Sequence, residues 1–136
     1  MRKYFEQLLV VLKKKGEISG FKKVVYQGGI PSLNDLYGSK HWTSRHKDSV
    51  KYHETFTWLL RAGLGLPKKK ASKFMVFIFF NSRHDTDNIV GIEKYFTDML
   101  VNLGYVEGDN KKFFRSLVIA PDEKLKKNTV EFVFAT

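Results

Sequence analysis

The chain has 136 residues, 43% of them hydrophobic and 15% aromatic, with 12 Phe. That is the size of one domain with one core, and enough apolar material to exclude global disorder. There is no cysteine, which excludes disulfide staples and thiolate-held zinc. The formal net charge is +10 and unevenly spread: residues 1–84 carry 17 Lys and Arg against 5 Asp and Glu, residues 85–136 carry 7 against 9. A basic half attracts a polyanion, nucleic acid foremost; a lysine-rich face that only keeps a protein soluble is the plainer alternative.

The N-terminal "MRKYFEQLLVVLKKKG" is basic then apolar. Glu6 and Gln7 interrupt it and no small-residue cleavage site follows, so it reads as an amphipathic helix and not a signal peptide. Phe5, Leu8, Leu9 and Leu12 recur at helical spacing and predict a helix over 3–14. "FKKVVYQ" (21–27) reads as a strand and "GGIPSLNDLYG" (28–38) as a loop. Residues 43–62 read as a helix with Val50, Phe56, Leu59 and Leu60 on its apolar side, followed by a basic loop over 63–73. "FMVFIFF" (74–80) is apolar at every position, which predicts a strand buried on both faces in the centre of a sheet.

Asp87 or Asn88 is a suitable cap for the next helix. Its stripe of Ile89, Ile92, Phe96, Met99, Leu100 and Leu103 has a clear helical period and stops at Gly104. "KFFRSLVIA" (112–120) and "TVEFVFA" (129–135) read as strands, the second with Val130, Phe132 and Phe134 on one face and Glu131 on the other. The loop "PDEKLKKN" joins them most simply as a hairpin. The order is an α+β domain: about four strands in a mixed sheet covered by helices. No apolar run approaches the ~20 residues of a membrane helix, so no membrane partner is expected.

Acidic residues concentrate where the charge changes sign. Asp85 and Asp87 are two apart just beyond the apolar strand, so their side chains point the same way if strand geometry persists to Asp87. Two carboxylates ~4 Å apart repel by about 1 kcal/mol in water and more where water is excluded, and a divalent cation relieves this. Oxygen-only ligands point to Mg²⁺ or Mn²⁺. A strand–helix–strand path offers a return of Asp109 to the pair. Three carboxylates on a basic protein then suggest metal-assisted phosphodiester hydrolysis. The competing reading is structural: Asp87 as a cap, Asp85 as a loop residue, Asp109 and Asn110 as turn formers.

"DTDN", then Lys94 and Asp98, then "LGYVEGD" resembles the signature of the RusA family of Holliday junction resolvases: Asp-x-Asp-Asn, Lys-x3-Asp-x-Leu, then Gly–aromatic and a later acid. Upstream, "IPSLNDLYGSKHWTSRHKDSVKYHE" is similar to the family's Pro-Ser-x-Asn loop and basic, aromatic helix. The resemblance covers about residues 21–135. It divides the chain into a 1–20 N-terminal helical extension and a 21–136 RusA-like endonuclease domain.

What it implies is a Mg²⁺-dependent, homodimeric endonuclease without small-molecule cofactor, cytoplasmic in a bacterial cell or phage-encoded. Its partner is branched DNA, and it resolves four-way junctions by symmetric cuts in recombination and repair. Asp85, Asp87 and Asp109 match the essential acids, and Lys94 a lysine that assists catalysis. Lys94 lies six residues after Asn88, where the family places it three after; a helix start delayed to Gly91 would keep it in the first turn. An i,i+4 surface pair with Asp98 is the other reading.

For DNA contact the candidates are Lys40, Arg45, Lys47 and Lys51, interleaved with Trp42, and the run Lys68, Lys69, Lys70 and Lys73. His41, His46, His53 and His84 read as surface or packing residues. A non-catalytic branched-DNA-binding protein that keeps the fold is the alternative to the nuclease.

Overall fold

A computed structural model describes residues 2–28 and 42–136, with side chains except at 42–49 and Asp87. The expected 28–38 loop therefore lies outside the described residues from position 29 onward. The elements are α1 (Arg2–Lys14), β1 (Phe21–Gln27), α2 (Trp42–Leu64), β2 (Phe74–Asn81), a 3-10 turn (Thr86–Ile89), α3 (Val90–Asn102), β3 (Phe114–Pro121) and β4 (Thr129–Ala135). They form an α+β domain on one four-stranded mixed sheet of order β1-β4-β2-β3.

β2 sits inside the sheet, as its apolar run predicts. It pairs antiparallel with β4 and parallel with β3. The expected β3–β4 hairpin does not form, because β4 inserts between β1 and β2. Burial explains this order. All seven residues of β4 are buried, so it takes a neighbour on each side, whereas residues 115–118 of β3 are exposed and suit an edge. The connecting loop is fastened across the end of β2: Asp122 N donates to Phe80 O (2.8 Å), and Asn81 Nδ2 donates to Leu125 O (2.7 Å).

Each face of the sheet has its own core. On one, α2, the 3-10 turn and α3 pack Phe56, Leu60, Ile89, Ile92, Phe96 and Leu100 against β2 and β4. Aromatic contacts join the layers: Tyr95 of α3 stacks on Tyr52 of α2 at 5.0 Å and meets His53 edge-on at 5.5 Å. On the other face α1 places Phe5 against Phe77 (4.9 Å) and Phe79 (4.7 Å), with Leu9 and Ile18 beside Val133 and Ala135. The Glu131 face of β4 is thus covered by a helix.

Covering that face requires neutralising Glu131. Arg2 donates to Glu131 (2.8 Å) and Asp122 (2.6 Å), and its guanidinium lies 3.9 Å from the centre of the Phe79 ring. Both carboxylates are 10% exposed and the arginine 28%. Burial alone would raise the Asp122 pKa, but hydrogen bonds from Arg2 and the Lys124 N–H outweigh it and hold the group low. Arg2→Ala is expected to cost about 2 kcal/mol, between the surface and buried limits for ion pairs. Asp122 contributes stability above its unfolded pKa that is lost as pH falls through its lower folded value. The gap between wild type and variant in urea melts therefore narrows below about pH 4.

α3 ends as its glycine predicts. Gly104 has φ +85°, its N–H bonds to Val101 O (3.1 Å), and the N–H of buried Tyr105 reaches Leu100 O (2.9 Å). This is a Schellman stop, which requires a left-handed residue that glycine adopts freely.

Candidate metal and nucleic-acid site

Asp85 lies beyond the end of β2, exposed and extended (φ −71°, ψ 162°). The expectation that strand geometry runs on to Asp87 is not met. β2 stops at Asn81, and the chain enters a 3-10 turn at Thr86, with Asn88 N donating to Asp85 O at 3.0 Å. The two aspartates are therefore not an i,i+2 strand pair. The capping expectation is also corrected: Asp85 holds the N-cap position of the 3-10 turn without a side-chain cap bond, and Ile89 is the N-cap of α3. The helix is entered through the tighter turn, whose bond from Asn88 already satisfies an amide that a capping side chain would have served. The Asp87 side chain lies outside the described residues.

Asp109 is exposed in the loop before β3. Its neighbour Asn110 makes the turn, accepting from the Lys112 N–H (3.0 Å) on its side chain and from the Phe113 N–H (3.0 Å) on its carbonyl. The parallel register pairs Phe74 with Phe114 and Phe80 with Pro121. Asp109 thus precedes one end of the strand pair, and Asp85 follows the other. Among the described residues no three His, Asp or Glu side chains gather as a metal-ligand set.

What the fold does bring to Asp109 is Glu93, a residue the sequence reading passed over. Glu93 is 5% exposed near the start of α3. Burial raises its pKa; the Thr97 hydroxyl donating to Oε1 and the Lys94 charge pull it down; Asp98 and Asp109 push it up again. Acids from before and after the middle of α3 therefore share one electrostatic neighbourhood. The signal was present in the stripe: Glu93 lies four residues after Ile89 and three before Phe96, on the buried side. Lys94 is exposed as the fifth residue of α3, which begins at Val90, and no ion pair joins it to Asp98.

A group whose folded pKa is raised favours folding below its unfolded pKa, and that contribution is lost as pH rises through the folded value. Glu93→Gln copies the protonated form. It is expected to melt higher than wild type at pH 7, with the difference closing as pH falls through the raised folded value and gone below about 4.5. An unchanged melting temperature at pH 7 would show that the buried charge costs the fold nothing.

Lys68, Lys69, Lys70 and Lys73 are all exposed on the loop between α2 and β2. That loop is tied to the Asp109 loop by two backbone bonds, Ala71 N to Tyr105 O (2.9 Å) and Glu107 N to Ala71 O (3.1 Å). Cations and Asp109 are thus carried on connected backbone. Lys51, on α2, lies with its ammonium 5.9 Å from the centre of the Tyr52 ring. Lys40 and His41 lie outside the described residues, and Trp42, Arg45, His46 and Lys47 are placed on α2 by backbone only. Asp85, Asp109 and Glu93 each offer oxygen and no sulfur, the ligand type of a hard divalent cation, but they do not gather at one point.

No protein-family model matches the chain, and no curated protein matches it.

Proposed function

We propose that the chain is a RusA-like, Mg²⁺-dependent endonuclease that resolves branched DNA, four-way junctions above all. The observation that carries this reading is the run of exposed lysines, on a chain of net charge +10, joined by backbone hydrogen bonds to the loop of the exposed Asp109. Excess positive charge draws in the phosphate backbone. Carboxylates inside that field, Asp109 among them, are the ligand type that a hard divalent cation takes.

By the resemblance Asp85, Asp87 and Asp109 are the proposed ligands, which a bound metal would have to draw together from the two ends of the β2–β3 pair; buried Glu93, which feels the charge of Asp109, is a positioning group. Bound there, Mg²⁺ or Mn²⁺ would neutralise charge on the scissile phosphate and lower the pKa of water. The protein's own share is electrostatic and positional: the lysine loop holds neighbouring phosphates, and Lys94 offers a cation to the charge that builds on the phosphate oxygens. A homodimer would present two such sites to two equivalent strands, which accounts for paired cuts.

The test is cleavage of a synthetic four-way junction beside a linear duplex of the same sequence, with Mg²⁺ or with EDTA. Paired nicks in the junction that require the metal are expected. Binding of the junction without any cut in Mg²⁺ or Mn²⁺ would replace this reading with that of a non-catalytic branched-DNA-binding protein.

A further inference from the structure

An open cleft of about 700 Å³ lies between the start of β1, the 64–71 segment and the end of β4. That size falls within the roughly 300–1,000 Å³ of ligand pockets. Its floor is apolar, from buried Leu64, Tyr105 and Phe134. Two large apolar side chains stand exposed on its walls, Phe21 at 48% and Leu66 at 75%. Lys22, Lys68 and Lys69 add positive charge, and no acidic side chain is among the described residues of the lining. Lys22 is steadied there by its bond to Leu64 O (3.2 Å). The wall is braced too: the Tyr105 hydroxyl donates to the carbonyl of Gly65, whose φ of +74° turns the chain out of α2.

We infer that this cleft holds a nucleotide of an unpaired DNA strand, its base against Phe21 and Leu66 and its phosphates on Lys68 and Lys69. The charge selects an anion, and the exposed ring and leucine select one that carries a flat apolar face. A duplex keeps its bases stacked inside, so it offers the lysines phosphates but gives Phe21 nothing. A separated strand supplies both. The inference rests on the nucleic-acid part of the proposed function and not on its metal chemistry.

The experiment uses a 12-nucleotide oligothymidine with one 5-iododeoxyuridine, in EDTA, so that no cleavage is needed. Photo-crosslinking followed by peptide mass spectrometry is expected to mark Phe21 or Tyr105, and annealing the strand to its complement is expected to remove the mark. By fluorescence anisotropy, Phe21→Ser and, separately, Leu66→Gln each weaken single-strand binding by about tenfold with the salt dependence unchanged. Combined Lys68→Gln and Lys69→Gln lowers the slope of log K against log salt by about 1.4, the value for two lost phosphate contacts on single strands. Crosslinks confined to other surfaces, or wild-type binding in both apolar variants, would overturn the inference. In that case junction cleavage can persist, and the nuclease reading stands; conversely, crosslinking in the cleft of a protein that never cuts separates the two.

Discussion

Asp87→Asn is expected to bind a four-way junction as wild type does and to cut it at least about a thousandfold more slowly. Asn keeps the size and the hydrogen-bonding oxygen of Asp but loses the charge that a hard cation requires. Lewis-acid stabilisation of a phosphoryl transition state contributes several kcal/mol, and each 1.4 kcal/mol is about tenfold in rate. Binding is carried elsewhere, by lysines such as Lys68, Lys69, Lys70 and Lys73, so the two readouts separate. The measurement is single-turnover cleavage with Mg²⁺, paired with gel-shift affinity in EDTA. A variant that cuts at the wild-type rate would remove Asp87 from the ligand set. One that loses binding as well would point to a folding defect in the turn before α3.

Phe132→Ala is expected to destabilise the domain by about 3–5 kcal/mol, a large part of the 5–15 kcal/mol typical of a whole domain. Phe132 is fully buried in β4, where it pairs in register with Val24 of β1 and Ile78 of β2. Its ring stacks on Phe96 of α3 (4.3 Å, 10° between planes) and meets Phe56 of α2 edge-on at 5.6 Å. One side chain therefore ties the middle of the sheet to both helices on that face. Truncation removes these ring contacts and leaves a cavity that three elements cannot jointly collapse to fill. Phe96 follows Glu93 by one helical turn, so loosening it also loosens the acidic neighbourhood. Urea unfolding checks this: the midpoint falls while the slope holds. A loss below about 1 kcal/mol would mean that the stack is not what anchors α3.

Much of the local structure was legible in the residues. β1 has the expected bounds of 21–27, α3 follows its apolar stripe, α1 buries Phe5 and Leu9 of its stripe but leaves Leu8 exposed, β2 is buried as a continuous apolar run demands, and Gly104 stops its helix. These features follow from periodicity and from the backbone freedom of one residue, both of which act over a few positions. Strand order was not legible in that way. A short loop between two strands favours a hairpin, yet β4 lies between β1 and β2 because a strand buried on both faces needs two neighbours.

The carboxylates divide along the same line. Asp85, Asp87 and Asp109 stood out by motif, but their surroundings depend on a 3-10 turn and a loop path that spacing does not encode. Glu93 and Glu131 were hidden because a buried acid is recognised by its partners. Glu93 meets the field of Asp109 only after α3 has crossed between β2 and β3, and Glu131 meets Arg2, 129 residues away in the chain, only after α1 has closed the second face. Short-range spacing is a property of the chain alone; strand neighbours and the company a buried charge keeps exist only once distant segments have met.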